Sequence, residues 1–420
     1  MSTVAAIHPT IVGRVGILDR LARRVVTRQL ADLRGGEITL RDGNGSSSLG
    51  ERADLHATLQ VHRPRFFRQA VCGGTLSVAE SYVRGDWECE DLTSLFRIFV
   101  RNRNSADRLD RGMGQIANWG HRLFHLWRAN TRTGSRRNIG AHYDLGNDFY
   151  RLWLDDTLAY SSGIFSAPEA SLREASIEKF DRVCRKLKLR PAHEVLEIGT
   201  GWGGFAIHAA EKYGCRVTTT TISREQYDVA WQRIHAAGLE GRVSLLQQDY
   251  RDLRGQFDKL VSIEMIEAVG HRFFDQFFRQ CSDLLRPDGS LVLQAIVMPE
   301  RGYAQYLKSV DFIQRYIFPG GCLPSLGAML ASVARATNLR FVHAEDFAPH
   351  YAETLRRWRQ AFHLRIDDVR RLGYSDQFIR LWNYYLCYCE AAFEERYVGV
   401  LQIQFDKPDC AATPSFGTQT

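Results

Sequence analysis

Hydrophobic positions change rhythm along this chain. Between Val15 and Leu33 apolar residues recur every three or four positions, which predicts an amphipathic helix running into a turn-rich stretch. Gly43-Asn-Gly-Ser-Ser-Ser-Leu-Gly50 predicts a loop, and Leu55 to His62 alternates as a half-buried strand does. Phe66 to Tyr82 reads as helical or mixed, and Leu92 to Val100 carries an apolar helix face. Together these elements predict a small mixed α/β domain over residues 1–115. Residues 116–140 interleave Trp119, Phe124, Leu126 and Trp127 with Arg122, Arg128, Arg132, Arg136 and Arg137. That mixture suits either an interfacial segment or a linker lying over the next domain.

From Val195 the rhythm alternates. Short apolar or β-branched runs at 195–198, 215–221, 243–247, 259–263 and 291–297 are separated by helical periods at 204–213, 224–237 and 273–285. Strands alternating with helices predict parallel βαβ units and a doubly wound sheet, the core of a domain expected over 141–420. Beyond Asp311 the pattern is largely helical until Leu401-Gln-Ile-Gln-Phe405, a strand expected to close one edge.

Composition narrows the class. A chain of 420 residues with 45% hydrophobic and 25% charged residues can bury two or three cores, which excludes disordered and fibrous classes. No apolar run approaches the length of a membrane span, and the first residues lack a signal-peptide pattern, so a cytoplasmic protein is expected. Nine cysteines without a Cys-x-x-Cys pair argue against a disulfide framework or a structural metal. The net charge of +7 is uneven. Residues 1–140 hold 22 Arg and no Lys against 13 acids, a net +9, and the remainder is at −2. The excess peaks between Arg101 and Arg137, with nine Arg against Asp107 and Asp110. Such a segment suits a polyanion. The polyanion is either nucleic acid, for which no motif beyond charge can be read, or an anionic membrane surface, and a solvated face is the plainer alternative. The resemblance given below favours an anionic phospholipid surface on the inner membrane face, not nucleic acid.

Gly199, Gly201 and Gly203 lie between the strand 195–198 and a helix, in Val195-Leu-Glu-Ile-Gly-Thr-Gly-Trp-Gly-Gly204. Glycines at such a bend let a ligand approach the backbone and offer amides at the helix N-terminus. Glu197 sits inside the strand, and no acid ends the second strand near Thr221, which argues against a dinucleotide. Later strand ends agree with a nucleoside site. Thr221 and Gln226 follow the second strand; Asp249, suited to an adenine amine, and Tyr250, suited to stacking, follow the third.

These residues carry a resemblance. His142-Tyr-Asp-Leu-Gly-Asn-Asp148, the glycine loop, Gln248-Asp-Tyr-Arg-Asp252, Ile263-Glu-Met-Ile-Glu-Ala-Val-Gly270, Tyr316-Ile-Phe-Pro-Gly-Gly-Cys-Leu-Pro-Ser325 and His350-Tyr-Ala-Glu-Thr354 resemble the cyclopropane fatty acyl phospholipid synthases and their mycobacterial relatives acting on mycolic and tuberculostearic acids. The likeness spans residues 140–405, and more loosely the family's N-terminal lipid-binding domain. It implies a Rossmann-like methyltransferase domain that uses S-adenosylmethionine. The implied cofactor contacts are Tyr160, Ser161, Glu197, Gly199, Gly201, Gly203, Thr221, Gln226, Asp249 and Tyr250.

The implied reaction adds a methylene to a cis double bond of a phospholipid acyl chain. Its alternative, a methyl- or methylene-branched chain, differs in where the proton is lost. Aromatic rings suit the cationic intermediate, and Tyr316, Phe318, Tyr351 and Trp358 are candidates. The family's base is thought to be a bicarbonate. The positions matching its ligands are Ser162, Glu267, Gln294, Ile296 and Tyr351, with Ser162 where Cys is common and Gln294 where His is common. Cys389 matches an active-site cysteine and is expected to line the pocket without acting as a nucleophile. The resemblance also allows a homodimer.

Overall fold

The computed structural model describes residues 16–102 and 145–410, which form two compact units. The first begins with helix α1 (Ile17–Ala31), two residues shorter than expected at each end, burying Ala22, Val26 and Leu30. Strands β1 (Glu37–Asp42), β2 (Gly45–Gly50), β3 (His56–Val61) and β4 (Trp87–Cys89) form a sheet of order β2-β1-β3-β4. The serine-rich stretch expected to be a loop is therefore strand β2, turned back on β1 in antiparallel register. Its side chains are mostly exposed, so no apolar alternation marked it. Helices α2 (Arg65–Val83) and α3 (Leu92–Arg101) complete the N-terminal part, α2 kinking at Gly74.

The second unit holds helix α4 (Leu172–Lys186), opened by a reciprocal capping box between Ser171 and Glu174. It continues through β5 (Glu194–Ile198), α5 (Gly204–Tyr213), β6 (Arg216–Thr220), α6 (Arg224–Ala236), β7 (Val243–Leu246) and β8 (Phe257–Ile263). Then follow α7 (Phe274–Leu284), β9 (Leu285–Val297), α8 (Leu326–Ala336), β10 (Arg340–Asp346), α9 (Ala348–Leu364) and, near the end of the described chain, β11 (Gly399–Asp406). The seven strands run in the order β10-β11-β9-β8-β5-β6-β7, parallel from β9 to β7. Adjacent residues of each central strand enter different cores. Leu196, Leu260, Leu291 and Leu293 pack with α7 and α8; Val195, Val261 and Val292 pack with α4 and α5. A sheet buried on both faces is what the continuous apolar strands require, and the expected doubly wound fold is present.

Strand β11 does not close an edge. It lies antiparallel between β9 and β10, and β10 forms the edge. The sequence Arg-Phe-Val-His-Ala-Glu-Asp of β10 is mostly exposed, which is why it carried no strand signal.

Helix α10 (Asp376–Glu394) belongs to the first unit with residues 309–312, so the domain expected over 141–420 is interrupted twice. The cause is tertiary: Tyr384 packs on Phe96 and Tyr82, and Arg97 and Arg101 donate to Glu395 at 2.7 and 2.9 Å. The boundary at 115 and the segment 116–140 lie outside the described residues. All nine cysteines are free thiols.

Candidate active site

The glycine loop rises from the C-terminal end of β5, where open α/β sheets bind ligands. Gly201 has φ +53°, and among the described residues a Cβ there would meet nothing within 4 Å, which leaves its backbone open to a ligand. Gly203, at φ +86°, caps α5, and its missing Cβ leaves room for Ala230 of α6 at 3.4 Å. Amide donation differs from expectation. Gly199 and Thr200 both donate to the Thr220 carbonyl, at 3.1 and 3.0 Å, and Gly203 donates to Thr200 at 2.9 Å. These three amides hold the loop's shape.

Around the loop, Thr221 donates to the Gln226 side chain at 2.9 Å after β6, both buried. Asp249 follows β7, and its carboxylate is forked by Arg251, Nε at 2.8 Å and a terminal nitrogen at 2.6 Å. Tyr250 packs edge-on against Phe277. Asp249 is thus held by Arg251, and one edge of Tyr250 is committed to the core, while both remain at the strand end expected for a nucleoside. Glu197 is buried within β5 and accepts from Thr219 at 2.6 Å. Burial pushes its carboxyl up to about 8, against the pull of Thr219 and Lys179.

Lys179 was not anticipated. It lies mid-stripe on α4 between Ala175 and Val183, fully buried, and donates to Ser161 Oγ at 2.6 Å. Burial pushes its ammonium down to about 8, opposed by the charges of Glu264, Asp155 and Glu197. A lysine at the centre of an apolar helical stripe was the available signal. Tyr160 packs against Tyr150, Trp153 and Trp358, with Phe318 at 6.1 Å; Tyr351 meets Trp358 edge-on. These rings form an aromatic wall next to Ser161 and Ser162 in sequence. Trp358 Nε1 is buried without a hydrogen-bond acceptor among the described residues.

Four of the five expected anion ligands turn toward protein carboxylates, and the fifth, Glu267, is one of those carboxylates. Glu264 Oε1 accepts from the Ser162 amide at 2.9 Å and from Gln294 Nε2 at 2.7 Å, and Oε2 accepts from the Tyr351 hydroxyl at 2.8 Å. Glu267 Oε1 accepts from the Ile296 amide at 2.7 Å, while its Oε2 is buried with no partner among the described residues. The Ser162 hydroxyl donates to the Gly163 carbonyl at 3.0 Å. Both acids retain some accessible surface, yet burial dominates their titration. It raises Glu264, opposed by Gln294, Lys179, Ser162 and Tyr351, and it pushes Glu267 up to about 8, reinforced by the Glu264 charge. Glu264 was the missed centre. It stands three residues before Glu267 in a stretch already singled out, directly after β8. Cys389 lies on α10 in the first unit and is partly buried, and burial raises its thiol far above neutrality.

Residues 130–403 match the family described as mycolic acid cyclopropane synthetase. The chain belongs to that family. It is 37% identical over 403 residues to tuberculostearic acid methyltransferase UfaA1 of Mycobacterium tuberculosis, covering 94% of this chain and 92% of that protein. It is 35% identical over 358 residues to the cyclopropane-fatty-acyl-phospholipid synthase of Escherichia coli K12, covering 84% and 88%. Among solved structures it is similar to mycolic acid cyclopropane synthase CmaA1 complexed with SAH and CTAB, at a TM-score of 0.61 and 32% identity over 65% of this chain and 98% of that one. The protein is an S-adenosylmethionine-dependent methyltransferase of the cyclopropane-synthase type. The open face at Gly201, with the Thr221–Gln226 pair and Asp249 at neighbouring strand ends, fits that cofactor.

Proposed function

We propose that the protein modifies the cis double bond of unsaturated phospholipid acyl chains, closing a cyclopropane ring. S-adenosylmethionine, when bound, supplies an electrophilic methyl carbon. The chain's own part is to align the alkene, tolerate a cation and accept a proton. One observation carries the reading: two partly buried acids, Glu264 and Glu267, follow the end of β8 beside the glycine loop, with Tyr351 bridging to the aromatic wall. The rings of Tyr160, Trp153 and Trp358 suit a transient positive charge, and their apolar bulk excludes water that would quench it.

A second reading, a methyl- or methylene-branched product, is supported by the near full-length similarity to the tuberculostearic acid methyltransferase.

The lipid surface has its own support. Helix α1 exposes Ile17, Leu18, Leu21 and Val25 as one apolar stripe beside exposed Arg20, Arg24 and Arg28, the pattern of a helix that lies in a headgroup layer. Among the described residues no helix is long and apolar enough to cross a membrane. Lipids from a heterologous host expressing the chain test the reading by mass spectrometry. Acyl chains heavier by one methylene are expected, and fragmentation separates ring from branch. Unchanged lipids in cells holding folded protein would refute it.

A further inference from the structure

Donors that could cradle a small anion are already engaged. The Ser162 amide, Gln294 Nε2 and the Tyr351 hydroxyl all point at Glu264, and the Ile296 amide points at Glu267. A bicarbonate placed among them would need those donors and would sit against an ionised carboxylate. Like charges at such range disfavour each other strongly, so the residues do not fit a bicarbonate. We propose that the Glu264 carboxylate is itself the proton acceptor and stands where an exogenous anion would otherwise be needed.

Three further observations agree. Glu264 has φ +48°, a left-handed conformation that is strained for a non-glycine residue. Strain of this kind, held in place by its surroundings, collects at functional sites. Here the surroundings are explicit: the Glu264 amide donates to the Gln294 carbonyl at 2.8 Å, and the side chain accepts three bonds. Second, burial raises the acid, and a carboxylate with a raised pKa is a stronger base than one in water. Third, the Gln294 amide takes up no proton, and its Oε1 is already engaged by Gln402 Nε2 at 3.0 Å, so Glu264 is the group of this cluster that can act as the acceptor.

The step balances within the proposed reaction, on which this inference rests. The alkene π pair bonds to the sulfonium methyl carbon as the carbon–sulfur pair leaves with sulfur. A C–H bond then breaks, on the new methyl group for ring closure or on a carbon next to the carbocation for a branched product. Its pair closes the ring, or forms the new double bond of a branched product, and the proton passes to Glu264. Loss of that proton to solvent resets the enzyme.

Two readouts on the full chain test this. The first needs no turnover: 13C-labelled bicarbonate is titrated into wild type and Glu264→Gly and followed by NMR. Glycine adopts φ +48° without strain, so this variant keeps the backbone while releasing three donors. Bicarbonate is expected to bind the variant and not the wild type. The second is turnover in bicarbonate-stripped buffer. Wild type should stay within twofold of its rate with bicarbonate. Glu264→Gln should lose roughly 100-fold or more, with S-adenosylmethionine affinity held within a few-fold. Glu264→Gly should recover in part when bicarbonate is added. Saturable bicarbonate binding to wild type, or wild-type turnover in Glu264→Gln, would overturn the proposal. Failure of the functional reading itself shows differently, as no lipid conversion by any variant while the binding contrast persists.

Discussion

Gln294 grips Glu264 twice, its side-chain Nε2 donating to Oε1 at 2.7 Å and its carbonyl accepting from the Glu264 amide at 2.8 Å. The amide cannot flip. Gln294 Oε1 accepts from Gln402 Nε2 at 3.0 Å, and Gln402 Oε1 accepts from Lys186 at 2.7 Å. The Lys186 charge fixes one glutamine, which fixes the next, so a donor must face the carboxylate. Replacing Gln294 by Leu removes a bond that favours the ionised form. The Glu264 pKa then rises, and because the ionised form is the base, the acid limb of the pH–turnover profile moves to higher pH. A shift to higher pH is expected; an unmoved limb would contradict the arrangement.

Gly201→Val tests the loop. A valine Cβ at this position meets no atom of the described residues within 4 Å, so it projects into the ligand's approach. Calorimetry should show S-adenosylmethionine affinity falling at least about 100-fold. The unfolding midpoint should drop by only a few degrees, from the local cost of φ +53°. Retained affinity in folded protein would remove the loop from the cofactor site.

Glu267 predicts a direction for stability. Its carboxyl moves from 4.5 to about 8 on folding, so between those values the folded state holds more protons than the unfolded one. Stability from this group is complete below about pH 4.5 and is lost as pH rises through 8. Glu267→Gln stays neutral throughout. Thermal unfolding of wild type minus variant should therefore be most favourable near pH 5 and worsen towards pH 8. A difference that is flat or improves would mean the acid is ionised in the fold.

Helix α1 gives a prediction for the lipid surface. Changing Leu18, Leu21 and Val25 to Ser removes exposed apolar area without touching Ala22, Val26 or Leu30. Binding to phosphatidylglycerol vesicles should weaken about tenfold or more, at roughly 25 cal/mol per Å² of lost burial. Wild-type binding should also fall steeply with salt. Salt-independent binding, or unchanged binding by the triple variant, would place the docking surface elsewhere.

The central strands were legible because both faces of β5, β8 and β9 are buried, which writes continuous apolar runs into the sequence. Strand β10 was not, since an exposed edge imposes no such pattern, and neither was the return of α10 to the first unit, which depends on contacts such as Phe96 with Tyr384. At the site, Ser162, Glu267, Gln294, Ile296 and Tyr351 were readable from their motifs. Glu264 was not, because its importance depends on a left-handed turn after β8 that aims one of two nearby carboxylates at three donors. Lys179 needed the knowledge that its helix faces buried acids.

The most direct test of lipid modification follows the transferred carbon. Purified protein, trideuteromethyl S-adenosylmethionine and vesicles of an unsaturated phospholipid are incubated, and the acyl chains are analysed by mass spectrometry. Ring closure through loss of a proton from the new methyl group predicts one added carbon that keeps two of its three deuterium atoms, with the original double bond gone. An acyl chain that gains no labelled carbon, or one that keeps all three deuterium atoms, would contradict the account.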